Sequence, residues 1–201
     1  MHYRNALMND FHTRTRCTSE NGSSIRLATA VDIPAIAAIY GAIHDREARG
    51  EVVIGWQRDI YPTADTAREA VLAREMYVLE DSAGRVAASA RINRRQMPAY
   101  AQVDWRYPAD DDRVLVLHTL TVDPACGRRG YARQFIAFYE ALAARLGCTA
   151  LRIDTNAKNA VARAMYARLG YIESGVIPCE FNGIPGVRLV CLEKTVGSER
   201  C

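Results

Sequence analysis

Lysine is nearly missing from this chain. Of 26 basic residues among 201, only Lys158 and Lys194 are lysines, and the formal net charge is +3. So small an excess does not point to nucleic acid, which is met by a clustered basic face. The arginine bias would suit bidentate phosphate binding, although codon usage explains it more simply. Long apolar runs are also absent. None approaches the roughly 20 residues of a membrane-spanning helix, so no membrane is implied as a partner. Residues 1–24 are polar and lack the apolar stretch of a secretory signal. Arg4, Arg14 and Arg16 against Asp10 and Glu20 give them the balance of an organellar presequence, but a disordered start or an overlong start codon is simpler. The cytoplasm is the default expectation. The six cysteines, Cys17, Cys126, Cys148, Cys179, Cys191 and Cys201, form no Cys-x-x-Cys pair, which excludes the common zinc arrangements. Reduced thiols are expected, with Cys148 and Cys191 as small core residues. There is no Gly-Lys-Ser/Thr of a Walker loop, no Gly-x-Gly-x-x-Gly fingerprint and no internal repeat.

What is present is ordinary globular composition, 49% hydrophobic and 24% charged. The length suits one domain, expected over residues 25–197, with tails at 1–24 and 198–201. Ile25 to Ala28 reads as a short strand. Asp32-Ile33-Pro34 reads as a helix start, followed by Ile33, Ile36, Ala37 and Tyr40 at helical spacing. Residues 45–62 look irregular, and Thr66 to Glu69 has capping-box spacing for a helix running to about Arg74. Met76 to Glu80 and Arg85 to Ile92 read as a hairpin. Arg113 to Val122 is long, apolar and β-branched, as a strand covered on both faces should be. Ala132 to Leu146 and Asn159 to Leu169 are helices by pattern, ended by Gly147 and Gly170, with a strand at Ala150 to Asp154 between them. Tyr171 to Phe181 and Gly186 to Glu193 form a last hairpin, its Asn182-Gly183 turn lengthened by Ile184 and Pro185. Strands outnumber helices and alternate with them only in part. The expected class is α+β on a mixed sheet of about six to seven strands.

The segment that carries chemistry is the central strand, Pro124, the loop Gly127-Arg128-Arg129-Gly130-Tyr131-Ala132, and then a helix. A glycine-containing turn before a helix exposes free N–H groups at the positive end of the helix dipole, where anions bind. Arg128, Arg129 and Arg133 would add charge-assisted hydrogen bonds. An ordinary turn with solvated arginines fits the same residues. The wider pattern goes further. Leu120-Thr121-Val122-Asp123-Pro124, this loop, and Asn159-x-x-Ala162-x-x-Met165-Tyr166-x-x-x-Gly170-Tyr171 together resemble the GNAT acetyltransferase family. The downstream pattern matches throughout. The loop departs at Gly127, where Gln or Arg is usual. The resemblance is strong from Val114 to Tyr171 and looser over Ile25 to Ile92; Ile54-Gly55-Trp56, Tyr61-Pro62 and Leu117-His118-Thr119-Leu120 also resemble one bacterial branch, which supplies no substrate.

The resemblance implies a GNAT-like fold with helices on both sheet faces. Acetyl-CoA would sit between strands 113–122 and 150–154, which splay apart. Leu120, Thr121 and Val122 would hold the pantetheine arm, and Gly127 to Arg133, including Tyr131 and Ala132, the pyrophosphate. An amine would attack the thioester directly. A backbone N–H near Leu120 would polarise the carbonyl. Tyr166 would protonate the leaving thiolate, though the same spacing suits a core aromatic, and Asn159 would cap its helix and touch CoA. His118 is a candidate base or a structural histidine, with Glu180, Asp104 and Glu47 in reserve. Trp56, Tyr61, Tyr100 and Trp105 are candidates for the acceptor pocket. The acceptor is expected to be a small-molecule amine. Protein N-termini or lysines are the alternative, and an acyl-CoA-binding sensor is the alternative of another class. Homodimers are common in the family.

Overall fold

The structure, a computed structural model, describes residues 17–19 and 22–197. The expected C-terminal tail and most of the N-terminal one lie outside the described residues. Eight strands form one mixed sheet: β1 (Cys17–Thr18), β2 (Ser24–Leu27), β3 (Met76–Glu80), β4 (Val86–Asn93), β5 (Val114–Val122), β6 (Ala150–Asn156), β7 (Ile172–Phe181) and β8 (Ile184–Thr195). Their order is β1-β2-β3-β4-β5-β6-β8-β7, antiparallel except for β5 and β6. The count exceeds the expected six to seven. The extra strand comes from within the segment expected as a tail, where Cys17 pairs with Ile25.

Among the described residues four α-helices cover the sheet: α1 (Ile33–Ala48), α2 (Ala64–Leu72), α3 (Tyr131–Arg145) and α4 (Ala160–Arg168). Strand alternation decides which face each residue serves. Tyr77, Leu79, Leu115, Leu117, Leu151 and Ile153 meet Phe135, Ile136, Tyr139 and Tyr166 of α3 and α4. On the opposite face, Met76 and Val78 meet Ile36 and Tyr40 of α1 and Ala67 and Ala70 of α2. Further along that second face Val114, Val116, Ala150 and Cys191 lie under Ala99, Tyr100 and Val103 of the 98–113 loop. Cys148 and Cys191 are buried and unpaired, as expected.

Three local expectations shift. Helix α1 continues to Ala48, so the irregular segment starts later than residue 45. Thr63, not Thr66, is the N-cap of α2; Thr66 occupies the third helical position and completes the capping box with Thr63. Asn182-Gly183 is a complete two-residue turn. Both residues have positive φ (49° and 83°), as a primed turn requires, so Ile184 and Pro185 belong to β8.

Candidate active site

β5 and β6 pair in parallel only from Val114↔Ala150 to Leu117↔Ile153. Beyond that register they part. β6 stays with β8 out to Asn156↔Leu189, and β5 stays with β4 out to Val122↔Ala88. Within the paired stretch a buried hydroxyl ties the two strands to α3: Tyr139 Oη donates to Leu115 O at 2.6 Å and accepts the Arg152 N–H at 3.1 Å. The pairing of β5 with β4 is also irregular. Thr121 faces Ser89 and His118 faces Arg91, so Thr119 and Leu120 together oppose Ala90. This is a β-bulge, and it sets Thr119 at φ 52°. A β-branched residue at positive φ is strained, which places the strain where β5 turns its free edge into the gap. The Tyr61 hydroxyl bonds Thr119 Oγ1 and braces this turn.

The gap opens into a cavity of about 290 Å³. At one end are Leu120, Thr121, Val122, Asp123, Pro124, Gly127 and Asn159; at the other are Trp56, Tyr61, Phe181 and Leu189; Asp154 and Tyr166 line it between them. The loop end is built for an anion. Arg128 (φ 63°) and Gly130 (φ 77°) take left-handed conformations, and Gly130 caps α3 with no side-chain hydrogen bond. The first-turn N–H groups of α3 thus have no side-chain acceptor, at the positive pole of its dipole. Arg128, Arg129 and Arg133 are exposed around this terminus, and none forms an ion pair with another described residue. Ala132 lies in the same first turn, whereas the Tyr131 side chain is core, leaving its backbone for a ligand. Asn159 Oδ1 accepts the Ala162 N–H at 3.1 Å and so caps α4, whose seventh residue is Tyr166.

Tyr166 is 5% exposed and meets Tyr171 edge to face at 5.9 Å. Burial pushes its phenol far above the ordinary value of 10, so it stays protonated throughout the working range of an enzyme. Asp154 is the residue that sequence reading missed. It shares the β6 face of Ala150 and Arg152, just past the point where β5 leaves. Desolvation lifts its carboxyl from 3.8 to about 6, against the opposing hydrogen bond from Tyr100 Oη at 2.7 Å. An acid at the end of the strand segment Ala150-Leu151-Arg152-Ile153, two residues before Asn156, is the signal the sequence offers.

His118, expected as a base, does not line this cavity. It lies on a neighbouring one of about 250 Å³ with Arg91, Asn93 and Arg95, sharing Tyr61 as a wall. Its Nε2 is 3.1 Å from Asn93 Oδ1, and burial first, then the Arg91 charge, lower it to about 4. Tyr100 and Trp105 are not at the acceptor end either. The 98–113 loop carries them behind Asp154, where Tyr100 is buried and Trp105 stacks on the Arg152 guanidinium at 4.0 Å. Of the reserve acids, Asp104 lies beside Tyr100 and Trp105 on that loop and Glu180 is exposed.

Glu47 has another task. Its carboxylate accepts the N–H groups of Ile54 at 2.8 Å, Gly55 at 2.5 Å and Trp56 at 3.3 Å, fixing the loop that forms the acceptor end. Gly55 sits at φ 85°, and a Cβ there would run into the Asn156 side-chain amide. Glu47→Ala leaves three donors unpaired and is expected to cost about 1–3 kcal/mol. It should also raise the acceptor KM while acetyl-CoA affinity holds, with partial rescue in Glu47→Gln. Thermal denaturation and a KM comparison check this.

Residues 42–171, well over half of the chain, match the model of the Acetyltransferase (GNAT) family. The chain belongs to the GNAT acetyltransferase family. Solved structures agree on the fold. A GNAT-family acetyltransferase from Streptococcus agalactiae 2603 is 22% identical with a TM-score of 0.74, covering 92% of this chain and 100% of that one. One from Listeria monocytogenes 4b F2365 is 20% identical with a TM-score of 0.66, covering 90% and 99%. A third, from Salmonella typhimurium, is named as an acetyltransferase with its cofactor acetyl-CoA; it is 19% identical, with a TM-score of 0.61, covering 90% and 98%. No match is found among curated proteins. Family membership makes this GNAT protein an acetyltransferase that uses acetyl-CoA. Among the described residues no helix is long and apolar enough to cross a membrane, and no cluster of His, Cys, Asp and Glu is placed to hold a metal.

Proposed function

We propose that the protein transfers the acetyl group of acetyl-CoA to a primary amine of a small molecule by direct attack, with Asp154 as general base and Tyr166 as general acid. The observation that carries this reading is that both side chains line one cavity at the β5–β6 parting. Acetyl-CoA supplies an activated acyl thioester. The free edge of β5 past Leu117 offers backbone groups to its amide-bearing arm, and the N-terminus of α3 offers N–H groups to its pyrophosphate.

Asp154, lifted to about 6, is ionised at neutral pH yet basic enough to take a proton from an attacking ammonium or amine. The backbone of the Thr119–Leu120 bulge, out of register with β4, faces the same cavity and can donate to the developing oxyanion. Tyr166, protonated at every working pH, gives its proton to the departing thiolate and then regains it from solvent.

Binding is tested first. Acetyl-CoA at about 100 times its dissociation constant should stabilise the protein by roughly 2.7 kcal/mol, several degrees in a thermal shift, and ATP should not. Thiol release with an amine panel then tests transfer. If acetyl-CoA binds and no amine or peptide releases thiol, the chain is a sensor of acyl-CoA and this assignment fails.

A further inference from the structure

Resting on that reading, we infer that the acceptor amine carries an anionic group, a carboxylate or a phosphate, at its far end, several bonds from the reacting nitrogen. A second cavity, of about 510 Å³, adjoins the acceptor end of the first. Gly55, Trp56, Asn156 and Val187 line both, so one elongated molecule can reach from one into the other. On the near side of this passage are Asp154 and an aromatic wall. Trp56 and Tyr61 meet edge to face there at 6.3 Å, and Tyr61 and Phe181 at 5.7 Å. On the far side are Lys158 and Arg188.

The far cavity is electrostatically one-sided. Lys158 and Arg188 form no ion pair with another described residue, and no described aspartate or glutamate lines the space around them. Glu47, which holds the Gly55 and Trp56 N–H groups of the shared wall, is committed to that loop. The Asn156 side chain adds a donor at the junction. Its Oδ1 accepts the Lys158 N–H at 3.0 Å, and its amide NH2 has no partner among the described residues. An anion placed here meets two cations and an amide donor, in a field that no lining acid offsets. Leu120, Thr121, Val122 and Gly127 line only the first cavity, so the two cations are set apart from the cofactor end.

Spacing sets the length of the acceptor. Arg188 O accepts the Ala157 N–H at 2.8 Å, so Arg188 stands across from Ala157 and next to Lys158. Ala157 is three residues past Asp154, which is about 10 Å at the rise of a strand. A carboxylate on the carbon that bears the amine does not cover that distance. One at the end of a hexyl chain does, given the reach of the two cationic side chains.

The test moves one charge along one skeleton. With saturating acetyl-CoA, hexylamine, 6-aminohexanoate, its isomer 2-aminohexanoate and 6-aminohexyl phosphate are followed by thiol release and product mass. At least one of the two end-charged acceptors should show a kcat/KM about tenfold above hexylamine, ~1.4 kcal/mol, the scale of two solvent-exposed ion pairs. The gain should lie mainly in KM, shrink with added salt, and be missing from 2-aminohexanoate. Whichever end group gains more identifies the anion. Lys158→Ala combined with Arg188→Ala should close the gap to hexylamine, and Lys158→Glu combined with Arg188→Glu should reverse it. Hexylamine or 2-aminohexanoate turned over as well as both end-charged acceptors overturns the inference while leaving acetyl transfer standing. So does a double alanine variant that keeps the gap and weakens acetyl-CoA binding, because the cations then serve the cofactor. Thiol release with none of the amines, by a protein that binds acetyl-CoA, removes the transfer reading, and the inference about its acceptor falls with it.

Discussion

Asp154→Asn is expected to lower kcat by about 10²- to 10⁴-fold while acetyl-CoA binds as before, the range for loss of a positioned base. The wild-type profile of kcat/KM should carry a limb that rises tenfold per pH unit below about 6, where the Asp154 carboxyl titrates, and the variant should lack it. A limb that persists in Asp154→Asn assigns the base elsewhere. The substitution should also stabilise the fold. Desolvation raises Asp154 above its unfolded value of 3.8, so the folded state binds its proton more tightly. The stability linked to this group is therefore fully present below about 3.8 and falls as pH rises through about 6. Asn removes that loss, so the variant should melt higher than wild type at pH 8 and lose the advantage towards pH 4. Gain of stability with loss of turnover separates a chemical role from a folding defect.

Tyr166→Phe should lower kcat by about 10²- to 10³-fold with little change in acetyl-CoA affinity or melting temperature. The ring is retained, so its edge contact with Tyr171 and its place in the α3 and α4 core survive. Only the proton donor is lost. Because burial holds this phenol well above 10, no acidic titration of Tyr166 should appear in the wild-type profile below pH 9. Unchanged turnover in Tyr166→Phe would reduce the residue to core packing, and a dissociable thiol-release assay with saturating acetyl-CoA decides between the two.

The parts of the candidate site legible in sequence are those that local chemistry writes within a few residues. The loop from Gly127 to Ala132 is readable because left-handed Gly130 and an uncapped helix start are short-range features. Asn159 capping α4, and Tyr166 on its seventh position, follow from helical spacing in the same way. The central strand is readable because both of its faces are buried along Val114 to Leu117. Misreadings cluster where two distant segments meet. Tyr100 and Trp105 look like pocket aromatics, yet the loop that carries them packs over Val114, Val116 and Ala150 on the same face of the sheet, so that Tyr100 donates to Asp154 without lining the cavity. His118 lies on the expected strand, but the bulge at Thr119–Leu120 and the wall of Tyr61 put it in a separate cavity.

The sequence alone determined the fold class, since helix caps, glycine turns and apolar periodicity depend on neighbours in the chain and survive any tertiary arrangement, and its resemblance to the GNAT family implied the family and the cofactor. It did not determine the base or the acceptor. The base role proposed for Asp154 rests on β5 leaving its side at Leu117, 37 residues earlier, and on a tyrosine 54 positions away that packs on it and donates to it. The acceptor wall likewise joins Trp56 and Tyr61 to Phe181, at the other end of the chain. Desolvation and cavity shape are sums over everything packed nearby, and only the folded chain brings those groups together.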